Sequence, residues 1–243
     1  MTLRLRSSAT TETGPHRKHN EDAFVDRPDL GIWAVADGAG GHQAGEVAAG
    51  MIAETLGAIA PGLGATEALA EIRTRIDAVH RALIDEAARR GPGVAIASTV
   101  VVLCARADHY ACLWAGDSRA YCLSGGELYQ VTRDHSLVQE LVDAGVIEAH
   151  ESEHHPQANV ITRAVGAGEA DGLALDKAID ELRPGDRFLL CSDGLTKTIP
   201  EEDIALLLGE AREDAAQRLV EAALARDASD NVTAVVLDVL DAS

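Results

Sequence analysis

Ala97-Ser98-Thr99-Val100-Val101-Val102-Leu103-Cys104-Ala105 is followed, after a short polar break, by His109-Tyr110-Ala111-Cys112-Leu113-Trp114-Ala115. Arg119-Ala120-Tyr121-Cys122-Leu123 and Leu128-Tyr129-Gln130-Val131 come next. Short apolar runs rich in β-branched and aromatic residues, separated by turn residues, read as consecutive strands. Ser124-Gly125-Gly126-Glu127 between the last two is a hairpin signal. Strands clustered in this way, without a helix between each pair, argue against a parallel βαβ fold.

Upstream, Leu3 to Thr11 alternates apolar and polar residues, as an edge or half-buried strand does. Asp22 to Asp26 and Ile32 to Ala36 read as two more strands. Gln43 to Ile59 is rich in helix formers. Thr66 to Arg89 places Leu69, Ile72, Ile76, Val79, Leu83 and Ala87 at helical spacing, and Gly91-Pro92-Gly93 ends it. Downstream, Leu137 to Ala144 predicts a helix capped by Gly145. Residues 146–171 are polar, with His and Gly throughout, and read as a surface loop or flap. Leu173 to Ile179 and Asp186 to Cys191 predict strands, Pro200 to Leu208 and Asp214 to Ala225 helices, and Val232 to Val239 a last strand.

Against this frame, Asp37, Asp117 and Asp193 each end a strand-like run, while Asp230-Asn231 opens one. A single Asp-Gly after a strand is an ordinary turn. Four such positions, with a fifth acid at Asp22, ask for more. Carboxylates mounted on neighbouring strand ends repel one another unless a cation sits among them. An all-oxygen donor set selects Mg²⁺ or Mn²⁺ over zinc.

The motifs Gly14-x-x-Arg17-x-x-Asn20-Glu21-Asp22, Val35-Ala36-Asp37-Gly38-x-Gly40-Gly41-His42 and Ser98-Thr99-Val100-Val101 occur in that order. Gly116-Asp117-Ser118-Arg119, Asp134-His135-Ser136 and Thr162-Arg163-Ala164-Val165-Gly166 follow. Cys191-Ser192-Asp193-Gly194-Leu195 and Asp230-Asn231-Val232-Thr233 complete the series. In this order they resemble the metal-dependent PP2C-type (PPM) serine/threonine phosphatases of bacteria, over nearly the whole chain. The resemblance implies an α+β fold, a four-layer αββα sandwich of two antiparallel sheets flanked by helices, as one domain over 1–243 with the flap at 146–171.

It also implies roles. Asp37 would bridge two Mn²⁺ or Mg²⁺ ions, with the carbonyl of Gly38 joining directly or through water. Asp193 and Asp230 would hold the second ion, and Asp22 would act through water at the first. Asp117 matches a position linked to a weaker third ion. A metal-activated water would be the nucleophile, and Arg17 would clamp two phosphoryl oxygens. Animal relatives carry a histidine directly after the Asp-Gly of the second motif. Ala39 stands there in this chain, which leaves the general acid unassigned.

Other residues read as structural. Arg119 pairs beside Asp117, Ser118 is a turn residue, and His135 begins a helix. His42 caps a helix or reaches the cleft. His150, His154 and His155 look like a metal cluster by composition, but their polar context favours a solvated flap.

At 243 residues the chain suits one domain. Acids outnumber bases 40 to 21, for a net charge of -19, which disfavours nucleic acid as a partner. That charge also disfavours a two-metal nuclease. The first residues lack a signal-peptide core, and no apolar run is long enough to span a bilayer, so a cytoplasmic monomer without membrane insertion is expected. Cys104, Cys112, Cys122 and Cys191 read as reduced core cysteines. The expected partners are phosphorylated proteins, a Ser/Thr kinase and its substrates. Hydrolysis of phosphoserine and phosphothreonine is the expected activity, and a catalytically weak relative acting as a phosphoprotein-binding module is the alternative. A Ca²⁺-binding module is disfavoured because no Asp-x-Asp-x-Asp-Gly loop is present.

Overall fold

The structure, a computed structural model, describes residues 3–40, 44–210 and 213–241, and of residues 153 and 154 the backbone only. In chain order the elements are β1 (Leu3–Glu12), β2 (Asp22–Arg27), β3 (Ile32–Ala39), α1 (Ala44–Gly57), α2 (Ala65–Arg90), β4 (Ala97–Ser98), β5 (Val100–Arg106) and β6 (His109–Ala115). Then follow β7 (Arg119–Ser124), β8 (Glu127–Gln130), α3 (Leu137–Asp143), a 3-10 helix (Ala149–His154), β9 (Asp176–Glu181) and β10 (Arg187–Cys191). α4 (Asp193–Thr196), α5 (Glu201–Gly209), α6 (Ala215–Leu224) and β11 (Val232–Asp241) complete the chain.

One sheet runs β1-β11-β10-β7-β8, and the other β2-β3-β5-β6-β9 with β4 also on β3; every pairing is antiparallel. Three apolar layers hold the sandwich. Trp33, Val101, Leu103, Phe188, Leu190 and Val235 fill the space between the sheets. There the rings of Tyr110 on β6 and Phe188 on β10 meet edge to face at 4.8 Å. Ile52, Leu56, Ile72, Ile76 and Leu83 pack α1 and α2 on one outer face, and Leu195, Ile204, Leu208, Leu219 and Val220 pack α4, α5 and α6 on the other. Each such fully buried side chain contributes about 1.5–3 kcal/mol relative to exposure. Phe188–Cys191 of β10 and Ala234–Leu237 of β11 read as continuous apolar runs because these strands are covered on both faces.

The expected α+β sandwich is what forms, and the differences have local causes. The strand expected at Leu173 to Ile179 begins only at Asp176, because Leu173 and Leu175 pack against the α1/α2 core instead. The run 97–105 splits at Thr99, whose N–H donates 2.8 Å to the Asp37 carbonyl. Residues 149–154 of the expected loop form a turn of 3-10 helix. Most of 145–163 is exposed, yet the segment is tied down at its C-terminal end. Leu137 N–H donates to the Val160 carbonyl at 2.8 Å, and Ser98 and Val165 exchange both backbone bonds at 2.9 and 2.8 Å.

His80 on α2 is fully buried and adds a further tie. Gly166 N–H donates to its Nδ1 and its Nε2 bonds the Glu169 carbonyl, both at 2.9 Å. All four cysteines are free and buried. Among the described residues no helix is long and apolar enough to cross a membrane.

Candidate metal centre

Antiparallel register does the first part of the assembly. Asp22 on β2 lies directly opposite Asp37 on β3, so both carboxylates project from the same face. The strand runs on through Ala39, which places Asp37 inside β3 rather than in a turn after it. Its backbone is fixed on both sides: Thr99 Oγ1 accepts from Asp37 N–H at 3.1 Å, and Ser98 Oγ donates to the Asp37 carbonyl at 2.9 Å. Gly38 is required by close packing, because a Cβ there would sit 2.1 Å from the Gly45 carbonyl oxygen of α1.

The second sheet supplies the other acids. Asp193 opens α4 directly after β10, and Asp230 precedes β11. Asp22 joins the sheets: its Oδ2 accepts from Ser192 Oγ at 2.7 Å and from Thr233 Oγ1 at 2.6 Å. Asp117 sits at the bend between β6 and β7. Gly116 has φ +115°, and a Cβ on it would strike the Thr99 side chain at 2.5 Å. His135 holds this corner: its Nδ1 accepts from Gly116 N–H at 3.1 Å, and its own N–H donates to the Gly116 carbonyl at 2.9 Å. Its Nε2 faces Asp176 at 3.2 Å, so His135 is a brace. Burial pushes the His135 pKa down.

Asp37, Asp117, Asp193 and Asp230 line one cleft of 430 Å³ together with Arg17 and Gly38. The charges there are unbalanced. Burial, then the neighbouring Asp193, Asp22, Asp117 and Asp230, holds the Asp37 carboxyl well above the usual carboxylate range. Burial pushes Asp22 up to about 7 against the pull of its two hydroxyl donors, with Asp193 and Asp230 adding repulsion. Burial and Asp193 likewise push Asp117 up to about 7. Asp117 Oδ1 and Asp193 Oδ1 are buried with no hydrogen-bond partner.

Buried carboxylate oxygens without a donor are costly. Two of them in a cleft of like charges are the arrangement a hard divalent cation relieves, so the residues fit such an ion. Among the described residues no three His, Cys, Asp or Glu side chains close into a finished cage. An open set of this kind suits ions that keep part of their water shell.

The match of residues 16–231 to the family described as Protein phosphatase 2C joins these acids to a known pattern. This chain belongs to that family. It is 37% identical over 99% of its length to the serine/threonine protein phosphatase PstP of Mycobacterium tuberculosis, and spans 46% of that relative. It is thus about half the length of the curated relatives matched first. It is 32% identical to the serine/threonine phosphatase Stp of Listeria welshimeri, over 96% of each chain. Among solved structures it resembles PppA, a key regulatory component of T6SS in Pseudomonas aeruginosa, with TM-score 0.91 and 42% identity over 98% of this chain and 99% of that one. It also resembles the PstP catalytic domain in complex with two manganese ions, with TM-score 0.86 and 34% identity over 99% of this chain and 100% of that one.

The remaining motif residues of this PP2C chain fall into place around the cleft. Arg17 is half-exposed at its mouth, with Nη2 2.6 Å from Asp230 Oδ2. Arg119 forks onto Asp134 at 2.7–3.0 Å and reaches Tyr121 Oη at 2.9 Å, rather than bonding Asp117. Ser118 is buried, its hydroxyl on Thr99 Oγ1 at 2.6 Å. His155 lines an adjoining pocket with Asp117, Asp193 and Asn159, and His150 is exposed. His42 and the His154 side chain lie outside the described residues.

Two residues gain roles that the sequence did not reveal. Asn231 accepts from Glu21 N–H at 2.9 Å and donates to the carbonyls of Thr13 at 2.7 Å and His19 at 3.0 Å. It thereby pins the loop that carries Arg17. Lys197 donates to Asp193 Oδ2 and, at 2.7 Å, to Asn159 Oδ1. Only its i, i+4 spacing from Asp193 signals this in the sequence.

Proposed function

We propose that this chain hydrolyses phosphoserine and phosphothreonine in proteins, using two Mn²⁺ or Mg²⁺ ions. The reading rests above all on the acid cleft, with its two unpartnered carboxylate oxygens beside a half-exposed arginine. Its likeness to a phosphatase domain in complex with two manganese ions supports the choice of cofactor.

When bound, the ions supply Lewis acidity at the phosphoryl group and an activated water. Asp37, Asp193, Asp230 and the Gly38 carbonyl would hold the two ions between them, with Asp37 contributing to both. Asp22 would orient water beside them through its Oδ1, since its Oδ2 is held by Ser192 and Thr233. Arg17 turns from Asp230 to grip two phosphoryl oxygens of the substrate. Ala39 offers no proton, and water would supply the proton that the departing alkoxide takes up.

The segment 146–171 forms a flap beside the cleft, on which the protein substrate docks. We place this activity in the cytoplasm, in a monomer opposing a Ser/Thr kinase; the buried free thiols support a reducing compartment. The likeness to PppA makes a secretion-linked phosphoprotein the first substrate to try. A weakly catalytic binding module is disfavoured because acids stand at all five positions.

The test compares a phosphothreonine peptide, a plain phosphoester and single-stranded DNA, each with Mn²⁺ or EDTA. Metal-dependent cleavage of the peptide is expected. Cleavage of DNA, or no cleavage at saturating Mn²⁺, overturns the reading.

A further inference from the structure

Lys197 caps the end of α4, one turn beyond Asp193, and its ammonium group lies in an oxygen-lined position. Asp193 Oδ2 and Asn159 Oδ1 accept from it. Asp117, with Oδ1 buried and unpartnered, lines both pockets that Lys197, Asn159 and Asp193 line. The ammonium charge partly offsets the burial that drives Asp117 up. A carboxylate and an amide carbonyl, with a second carboxylate lining the same pocket, are a donor set for a hard divalent ion. Here a nitrogen cation already sits on the first two and faces the third across the pocket.

We propose that Lys197 is a tethered cation standing in the place of a third, weakly held divalent ion, so that this chain binds two ions and its Lys197-less form binds three. Charge balance supports the assignment. Asp22, Asp37, Asp117, Asp193 and Asp230 carry five negative charges when ionised. Two divalent ions bring four positive charges and Lys197 the fifth, which leaves Arg17 free for the phosphoryl group. The tether also keeps this cation at high effective concentration, beyond the reach of dilution or chelation. An ion arriving at the same oxygens has to displace a like charge. On this proposal Asp117 borders a position that the chain fills for itself, rather than holding a third ion.

The inference rests on the two-ion reading, and the test separates the two. Mn²⁺ bound per chain is counted by calorimetry and equilibrium dialysis into the millimolar range. Wild type and Lys197→Arg should each bind two ions. Lys197→Met should bind a third, with Kd of roughly 10⁻⁴–10⁻³ M. Lys197→Met with Asp117→Asn should return to two. The Lys197 side chain is 41% exposed, so its loss leaves the core alone; Lys197→Gln, checked by circular dichroism, is the second variant. Three ions on wild type, or two on both Lys197→Met and Lys197→Gln, overturns the proposal. Fewer than two on wild type fails the two-ion reading, and the proposal falls with it.

Discussion

The β10–β11 pair carries a buried polar cluster at each end, and the two clusters are finished differently. At the Arg187 end, Arg187 Nε donates to Asp238 Oδ1 at 2.5 Å, and its Nη1 donates to the carbonyls of Leu208 and Glu210 at 2.7 and 2.6 Å. Arg6 Nη2 takes the other Asp238 oxygen at 2.8 Å. Each charge there meets an opposite charge supplied by the chain. At the Asp193 end, five acids gather, two carboxylate oxygens have no partner, and burial and mutual repulsion raise the pKa of Asp22, Asp37 and Asp117. Both clusters border β10 and β11, but the acid cluster also draws Asp22, Asp37 and Asp117 from β2, β3 and the β6–β7 bend, so carboxylates from both sheets converge there with too few cations to match them among the described residues. A polar group completed by protein is a bolt between elements. One left short of positive charge calls for an ion from outside.

The contrast implies that substitutions at the two ends fail in different assays. At the acid end, Asp37→Asn or Asp193→Asn should lower turnover of a phosphothreonine peptide by roughly 10³-fold. The metal-free melting temperature should hold or rise, because a repelling charge is gone. Near wild-type turnover at saturating Mn²⁺ would erase the distinction. At the other end, Arg187→Ala strands Asp238 and should cost about 3–5 kcal/mol in urea unfolding. The folded fraction should still bind Mn²⁺ with wild-type stoichiometry. A stability loss below about 1 kcal/mol would show that this cluster is no bolt.

Arg17 lies at the acid end yet pairs within the protein, so it tests the boundary. Arg17→Ala should cost about 1.5–3 kcal/mol of transition-state binding, roughly 10- to 150-fold in kcat/KM. Unchanged kcat/KM on a phosphopeptide removes Arg17 from the site.

The most gradual effect is on pH. Asp22 and Asp117 are raised in the fold from 3.8 to about 7. The folded state therefore holds more protons than the unfolded chain between those values. Metal-free protein should lose stability as pH rises from about 4 to about 7, and most of that stability is present below the lower value. Thermal melts with EDTA should show this slope, and saturating Mn²⁺ should flatten it. A flat metal-free profile means that the acids are not pressed together.

The sequence made the elements legible because their signals are local. The apolar runs of β5, β6, β10 and β11 and the helical stripe of α2 lie within short windows. The acids were legible as a recurring strand-end pattern. Their arrangement was not. The facing of Asp22 and Asp37 depends on strand register, and the grip of Thr233 on Asp22 joins residues 211 apart. His80, set into the α2 stripe, looked like any other position on that helix until its partners at Gly166 and Glu169 came into view. Lys197 gives little sequence signal because α4 is a single turn, too short to show a period.

The buried thiols bear on how such a protein could be poisoned. Cys104, Cys112, Cys122 and Cys191 are each 3% exposed or less, and burial raises the pKa of every one, Cys122 to about 11 and Cys191 to about 12. At neutral pH these sulfurs stay protonated and out of reach, so peroxide and alkylating agents find no thiolate to attack. On the proposed activity, phosphate-ester cleavage built on carboxylates and ions would not be silenced by the oxidants that disable a sulfur nucleophile. Its weak point would then be scarcity of divalent metal.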